Sequence, residues 1–396
     1  MATTVRRAIA TIVVAQLLGT SLWFSANAAF GDLARAWALT VADLGALTTA
    51  VQLGFIAGTL VFALSGLADR YRASRVFAVS ALVGAAANAA FAFHAAGLAE
   101  ACGWRFVTGF ALAGVYPLGM KLVVSWEPER SGEALAWLVG MLTLGTALPH
   151  AVRAAGAEWP WGAVAGASSL LALLAGAAVL ALGDGPHLPS PGAATRRSWR
   201  ATLGVARIPA FRASALGYFG HMWELYAMWT IVPLLAVPVL QGLGLESARA
   251  LAALSFAIIA VGAAGCVAGG IASRRWGSAR VAAVALSGSA LAGAIYPLVA
   301  GVPAAALVLL VAWGIVVVAD SPQFSALSAK AAPREIVGSA LAIQNSIGFG
   351  ISIASIALAT AWVAPLGAWV AWILVPGPLF GLAGLLPLLR GPVARD

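Results

Sequence analysis

Apolar residues run along this chain in blocks of ~20 separated by short polar breaks, the length a helix needs to cross ~30 Å of hydrocarbon. The breaks predict spans near 8–30, 43–67, 74–96, 98–125, 132–154 and 160–182, then 210–237, 248–272, 279–300, 303–327, 336–362 and 368–389. A membrane barrel would show short segments alternating apolar and polar, and none occur. The pattern predicts an all-α integral membrane protein of about twelve transmembrane helices.

The pattern is also written twice. At an offset of 205 residues Arg7, Arg70 and Arg75 meet Arg212, Arg275 and Arg280. Pro117, Pro128 and Pro160 meet Pro322, Pro333 and Pro365, and Gly109, Gly145, Gly162 and Gly176 meet Gly314, Gly350, Gly367 and Gly381. Each half is therefore expected to be one six-helix bundle, 1–182 and 210–396. Between them, 183–209 carries Pro186, Pro189, Pro191 and four arginines, and reads as a cytoplasmic linker without a core of its own.

Composition agrees: 62% of the 396 residues are hydrophobic and 9% charged, too few charges to cover a soluble domain of this size. The net charge of +9 raises the question of nucleic acid, and the placement of the charges answers it. With a cytoplasmic N-terminus, 18 of the 23 Lys and Arg fall on the cytoplasmic side, which is the positive-inside distribution. Both termini are expected in the cytoplasm, the membrane is expected to be the inner membrane, and no nucleic-acid partner is implied. Arg6 and Arg7, an apolar run and Ala26-Asn27-Ala28 have the outline of a cleavable leader. The run from Ala8 to Phe30 is long for that purpose, and the repeat claims it as a helix. Cys102 and Cys266 fall in different helices at different depths, so no disulfide is expected, and no zinc-ligand spacing or phosphate-binding loop occurs. No metal or cofactor is expected.

Between the second and third spans stands Ser65-Gly66-Leu67-Ala68-Asp69-Arg70-Tyr71-Arg72-Ala73-Ser74-Arg75. With two parallel six-helix halves, this loop resembles that of the major facilitator superfamily, Gly-x-Leu-x-Asp-Arg-x-Gly followed by basic residues. Leu67, Asp69, Arg70 and Arg75 match, while Ser65 and Arg72 replace the two glycines; the second-half copy keeps Gly277 and holds Arg274 in place of the acid. The resemblance implies the family's two-bundle fold and a secondary transporter whose halves alternate around a central site. It also implies that Asp69 and Arg70 act as a conformational latch, with Arg75, Arg275 and Arg280 as the basic positions of the two loops. A carboxylate near a helix N-terminus gains ~0.3–1 kcal/mol from the dipole, so a latch of this kind has a physical basis. The alternative is that these charges only set topology.

An ionisable group at mid-bilayer costs ~2.5–3.5 kcal/mol, so each one needs a reason. Glu224 lies near the middle of span 7, with His221 three residues away on the same face. The pair suits uptake and release of a proton, or else a buried contact that fixes packing. Asp320, beside Pro322 and Gln323 in span 10, is the other acid; Pro322 frees a carbonyl for a cavity, and an interdomain structural charge is the alternative. In the family, spans 1, 4, 7 and 10 line the cavity. Arg105, Tyr116 and Lys121 are the span 4 candidates, although Arg105 and Lys121 lie near enough to the ends to snorkel. Gln16, Thr20, Trp23 and Asn27 make one polar stripe on span 1, facing either a wet cavity or a helix–helix seam. Tyr226 and Trp313 are aromatic candidates for the same cavity. Gly262, Cys266 and Gly270 of span 8 read as a close-packing face, and His150 and Arg153 of span 5 as a gate or an interface.

These residues favour a proton-coupled secondary transporter of a small organic anion or zwitterion, working in the lipid bilayer as a monomer. Proton-driven efflux of amphipathic or cationic compounds is the rival within transport, and a transport-dead receptor or scaffold the rival outside it. A membrane enzyme would need a nucleophile–base or metal constellation, and His221 with Glu224 supplies only two possible ligands. The nitrate-porter arginines of spans 2 and 8 are missing, and Gly183-Asp184-Gly185-Pro186 stands where sugar porters carry Pro-Glu-Ser.

Overall fold

A computed structural model describes residues 2–128, 131–188, 204–333 and 336–390, the side chains of 2, 68, 69 and 131–133 excepted. The described residues are helical throughout, with no strand. Among the described residues eleven helical stretches are long and apolar enough to cross a membrane, ending with Val337–Arg390 at 54 residues. At ~1.5 Å per residue a straight helix of that length would run ~80 Å, more than twice the hydrocarbon thickness. It does not run straight. Gly367 (φ 56°, ψ −130°) takes a conformation open only to glycine, and the chain turns there between Val337–Leu366 and Pro376–Arg390. Both arms pack on Pro209–Gly242, so the stretch makes two crossings and the described residues hold twelve.

The chain forms two compact units, Met1–Thr195 and Arg196–Asp396, dividing inside the 183–209 segment. In the first, span 1 (Ala2–Thr20 and Ser25–Trp37) packs on span 5 (Ser131–Ala155) and span 6 (Trp161–Leu182). Span 2 (Val41–Ser65) packs on span 4 (Leu98–Leu112 and Tyr116–Trp126), and span 3 (Ala73–His94) on spans 4 and 6. The second unit repeats this set. Span 7 (Pro209–Gly242) meets spans 11 and 12, span 8 (Ala248–Ala260 and Gly262–Trp276) meets span 10 (Pro303–Val316 and Ser321–Ala331), and span 9 (Ser278–Val299) meets spans 10 and 12. The 205-residue repeat in the sequence is thus a repeat of packing.

Glycine makes the closest of these contacts. A Cβ at Gly109 would strike the carbonyl of Val51, and one at Gly314, its counterpart, the carbonyl of Ile258. On span 8 the buried small face is Gly262, Gly265, Cys266 and Gly269, with Cys266 Sγ 3.3 Å from Val318 O; Gly270 is only half-buried.

Among the described residues spans 1, 4, 8 and 10 are broken, as is span 12 at Val375, which the apolar pattern did not predict. Spans 4 and 10 break at matching places, since Tyr116 and Ser321 open their second pieces and stand 205 apart. Pro117 and Pro322 follow, unable to donate to the preceding turn, and tight i→i+3 bonds such as Gly114 N–H to Ala111 O (2.9 Å) bridge each gap. Span 8 breaks at Val261. Span 1 breaks between Thr20 and Ser25, with no proline near, and then continues to Trp37, seven residues beyond its expected end.

The loop after span 2 takes its left-handed residue at Gly66 (φ 64°), one position beyond the family's first glycine. Ser65 Oγ bonds back to Val61 O (2.6 Å) and accepts from Leu67 N–H (3.3 Å). Leu67–Arg70 form one helical turn; the Asp69 side chain lies outside the described residues, and Arg70, Arg75, Arg275 and Arg280 are exposed.

Candidate functional site

In the first unit the polar residues of span 1 find partners on neighbouring spans. Asn27 Nδ2 donates to Thr48 Oγ1 of span 2 (2.9 Å), and Trp23 Nε1 donates to Gln52 Oε1 (3.3 Å). Thr20 Oγ1 donates to Gln16 O (2.7 Å) one turn back and lies 3.4 Å from Leu142 O of span 5. Thr20, Trp23 and Asn27 therefore form seams between helices. Gln16 differs: its amide is completely buried, faces Gly119 of span 4, and has no hydrogen-bond partner among the described residues.

Arg105 explains the break in span 1. Its guanidinium is fully buried and reaches Leu22 O (3.0 Å), Ser25 Oγ (2.9 Å), Asn88 Oδ1 (3.0 Å) and the carbonyl of Trp23. Leu22 and Trp23 lie in the gap where the helix gives up its own bonds, so the cation takes the carbonyls the gap leaves open. Asn88 completes the cluster, accepting from Ser25 Oγ (2.6 Å) and donating to Ala165 O (2.8 Å) and Ser169 Oγ (3.0 Å) of span 6. Arg105 was a cavity candidate with snorkelling as its alternative, and with the side chain fully buried in this cluster the snorkelling does not occur. Tyr116 and Lys121, on the second piece of span 4, are half-buried.

At one end of the unit Asp32 joins Arg35 on its own helix and Arg153 of span 5 (2.7 Å), whose other nitrogen donates to Trp159 O (2.8 Å). Arg153 is thus an interface residue within this unit. At the other end Asp184 accepts from the Ser74 backbone N–H at the start of span 3 (2.7 Å), and Gly185 N–H donates to Ser125 Oγ (3.1 Å).

The second unit holds both buried acids. His221 does not turn to Glu224, its neighbour three residues along; its Nδ1 lies 2.8 Å from Asp320 Oδ1 on span 10, and both residues are about 1% exposed. The rings of Tyr218 and Phe324 flank the imidazole at 6.0 and 6.1 Å. Asp320 sits in the gap between the two pieces of span 10, with Gln323 buried one turn on. Glu224 is buried apart from this pair: its Oε1 accepts from Ser289 Oγ of span 9 (2.7 Å) and Trp313 Nε1 of span 10 (2.6 Å). Tyr226, also buried, meets Trp229 edge to face (5.5 Å) and Phe349 at a tilt (5.1 Å).

Sequence reasoning named Glu224, Asp320, His221 and Trp313, but paired His221 with Glu224 and offered Trp313 as a cavity residue, not as the donor to Glu224. It missed Ser289, Asn88 and Ser25, although Asn88 carries a signal as a lone amide in the apolar run of span 3. No group of three or more His, Cys, Asp or Glu suited to a metal occurs among the described residues.

A family model of the Major Facilitator Superfamily matches residues 12–356. Over 129 residues the chain is 36% identical to the niacin transporter NiaP of Acinetobacter baylyi. That match spans 30% of this chain and 28% of the relative, little more than a quarter of the relative's length. The fold is similar to the crystal structure of a bacterial homologue of the human lysosomal transporter Spinster in an inward-facing, unoccupied conformation. The TM-score is 0.68 over 98% of this chain and 95% of that one, at 14% identity, a likeness of fold alone. With its apolar spans and its packing repeat, a match over most of its length shows that this chain belongs to the Major Facilitator Superfamily.

Proposed function

We propose that this protein is a proton-coupled secondary transporter of a small organic anion or zwitterion, carried across the inner membrane by alternating access. The observation that carries the reading is the pair of acids buried in the second unit, Glu224 and Asp320, each held by a specific polar partner in hydrocarbon. A packing role alone gives little reason to keep two carboxyls there, because each is costly when charged and apolar side chains would serve as well. Titration gives a reason. The unpartnered amide of Gln16 is a candidate substrate contact, and Lys121 a candidate for an anionic group. The name of the 36% identical relative supports the substrate class, since niacin is a small aromatic carboxylate.

The test is transport into proteoliposomes with labelled nicotinate and related pyridine and benzene carboxylates as probes. Glu224→Gln keeps shape and hydrogen bonding while removing titration. It should abolish accumulation driven by a pH gradient and retain exchange of substrate across the membrane. Accumulation with wild-type pH dependence would make Glu224 structural and leave Asp320 with His221 as the coupling site.

A further inference from the structure

Glu224 has a hydrogen-bonding pattern that distinguishes its two oxygens. Oε1 takes the Ser289 hydroxyl at 2.7 Å and the Trp313 indole N–H at 2.6 Å, while the indole also lies 3.2 Å from Ser289 Oγ. Among the described residues Oε2 takes no hydrogen bond. An indole N–H only donates, and a carboxylate oxygen has two in-plane lone pairs. With both pairs of Oε1 engaged, a proton has one place to go.

We infer that Ser289 and Trp313 are positioning residues that fix Glu224 through Oε1 and reserve Oε2 as the atom that takes and gives up the proton. The inference rests on the proton-coupling reading above and adds to it which atom exchanges and which side chains dictate that choice. In the protonation step a water-borne proton forms the Oε2–H bond and the carboxylate becomes a neutral acid with its carbonyl at Oε1. In the reverse step the O–H bond breaks and the proton returns to water on the other side.

The repeat supports a dedicated arrangement. Glu224, Ser289 and Trp313 correspond to Gly19, Gly84 and Thr108 in the first unit, and none of these can build the same contact. Conversely Ser25, Asn88 and Arg105 correspond to Thr230, Gly293 and Leu310. The same three-span seam, 1–3–4 and 7–9–10, thus carries a cation-centred cluster in one unit and an acid-centred cluster in the other, about one turn apart along it. Gly293, in the place of Asn88, leaves room for the indole: a Cβ there would come within 3.3 Å of Trp313 Cζ2. The other ionisable groups around the site are already engaged. His221 and Asp320 face each other, and Tyr296 of span 9 donates to Leu235 O (3.0 Å). Spans 11 and 12, between 337 and 389, contain no charged residue, His, Tyr or Cys.

Infrared difference spectroscopy of the purified full chain, titrated through the neutral range, reads the carbonyl stretch of protonated Glu224 without any substrate. Its band is identified by its loss in Glu224→Gln. Ser289→Ala and Trp313→Phe each remove one donor to Oε1, so each should move the band to higher frequency, and a thermal midpoint near wild type confirms folding. Two variants are used so that poor folding of one leaves the other to decide. A band that stays in place in the folded variants overturns the assignment of Oε1 while leaving proton coupling intact. If lowering the pH produces no Glu224 band at all, the carboxyl does not titrate, and both the coupling reading at this residue and the inference fail.

Discussion

Arg105 is a buried cation whose acceptors are carbonyls and neutral side chains, with no carboxylate among them in the described residues. Such a group stabilises the fold only while every acceptor is in place, since removing it strands carbonyls that the broken helix cannot satisfy. Arg105→Met keeps much of the length and removes the donors. It should cost about 3 kcal/mol or more, because hydrogen bonds to a charged group are worth ~1.5–3 kcal/mol each and an abandoned buried acceptor adds its own penalty. The measurement is the thermal unfolding midpoint in detergent, with Arg249→Met at the exposed start of span 8 as control. Equal midpoints would remove the bracing role. The sequence could not separate snorkelling from bracing, because depth along a span says nothing about a gap in a neighbouring helix. His221 was obscure for a related reason: a partner three residues along competes on paper with one on another span, and only packing chose Asp320.

At the scale of elements, the apolar runs and the 205-residue offset made the spans and their doubling legible, since hydrocarbon thickness dictates one and duplicated Arg and Pro positions reveal the other. The breaks were less legible. Pro117 and Pro322 mark two of them, whereas span 1 opens where a distant arginine reaches in, and no local residue announces that. Glycine contacts give a prediction at this scale. Gly109→Ala and Gly314→Ala each drive a methyl into a carbonyl of the adjoining span and should cost about 1–3 kcal/mol. Gly350→Ala, in span 11 with nothing within 4 Å of the added carbon, should leave stability unchanged or slightly higher. Thermal midpoints in one detergent compare all three, and equal losses would show that close approach is not what these glycines provide.

At the scale of the whole molecule, the charge distribution predicts that single cysteines at either terminus or in 183–209 react with impermeant reagent only from the cytoplasmic side. Labelling of the linker from the opposite side would invert every depth assigned here. The latch implied by the loop after span 2 belongs to the same scale: Asp69→Asn should slow interconversion, read as a changed ratio of inward to outward crosslinking, while probe affinity stays the same. Unchanged crosslinking and unchanged flux would reduce Asp69 to a topology charge. The turn at Gly367 has a consequence for how the protein is made. From 337 to 389 there is no Asp, Glu, Lys or Arg, so the charges that orient spans 11 and 12 all lie outside the pair, at Lys330 and Arg334 before it and Arg390 and Arg395 after it. Each foot of the pair thus has basic residues beside it while the turn between them has none, so the two spans are expected to enter the bilayer as a hairpin with Gly367 at the tip that crosses.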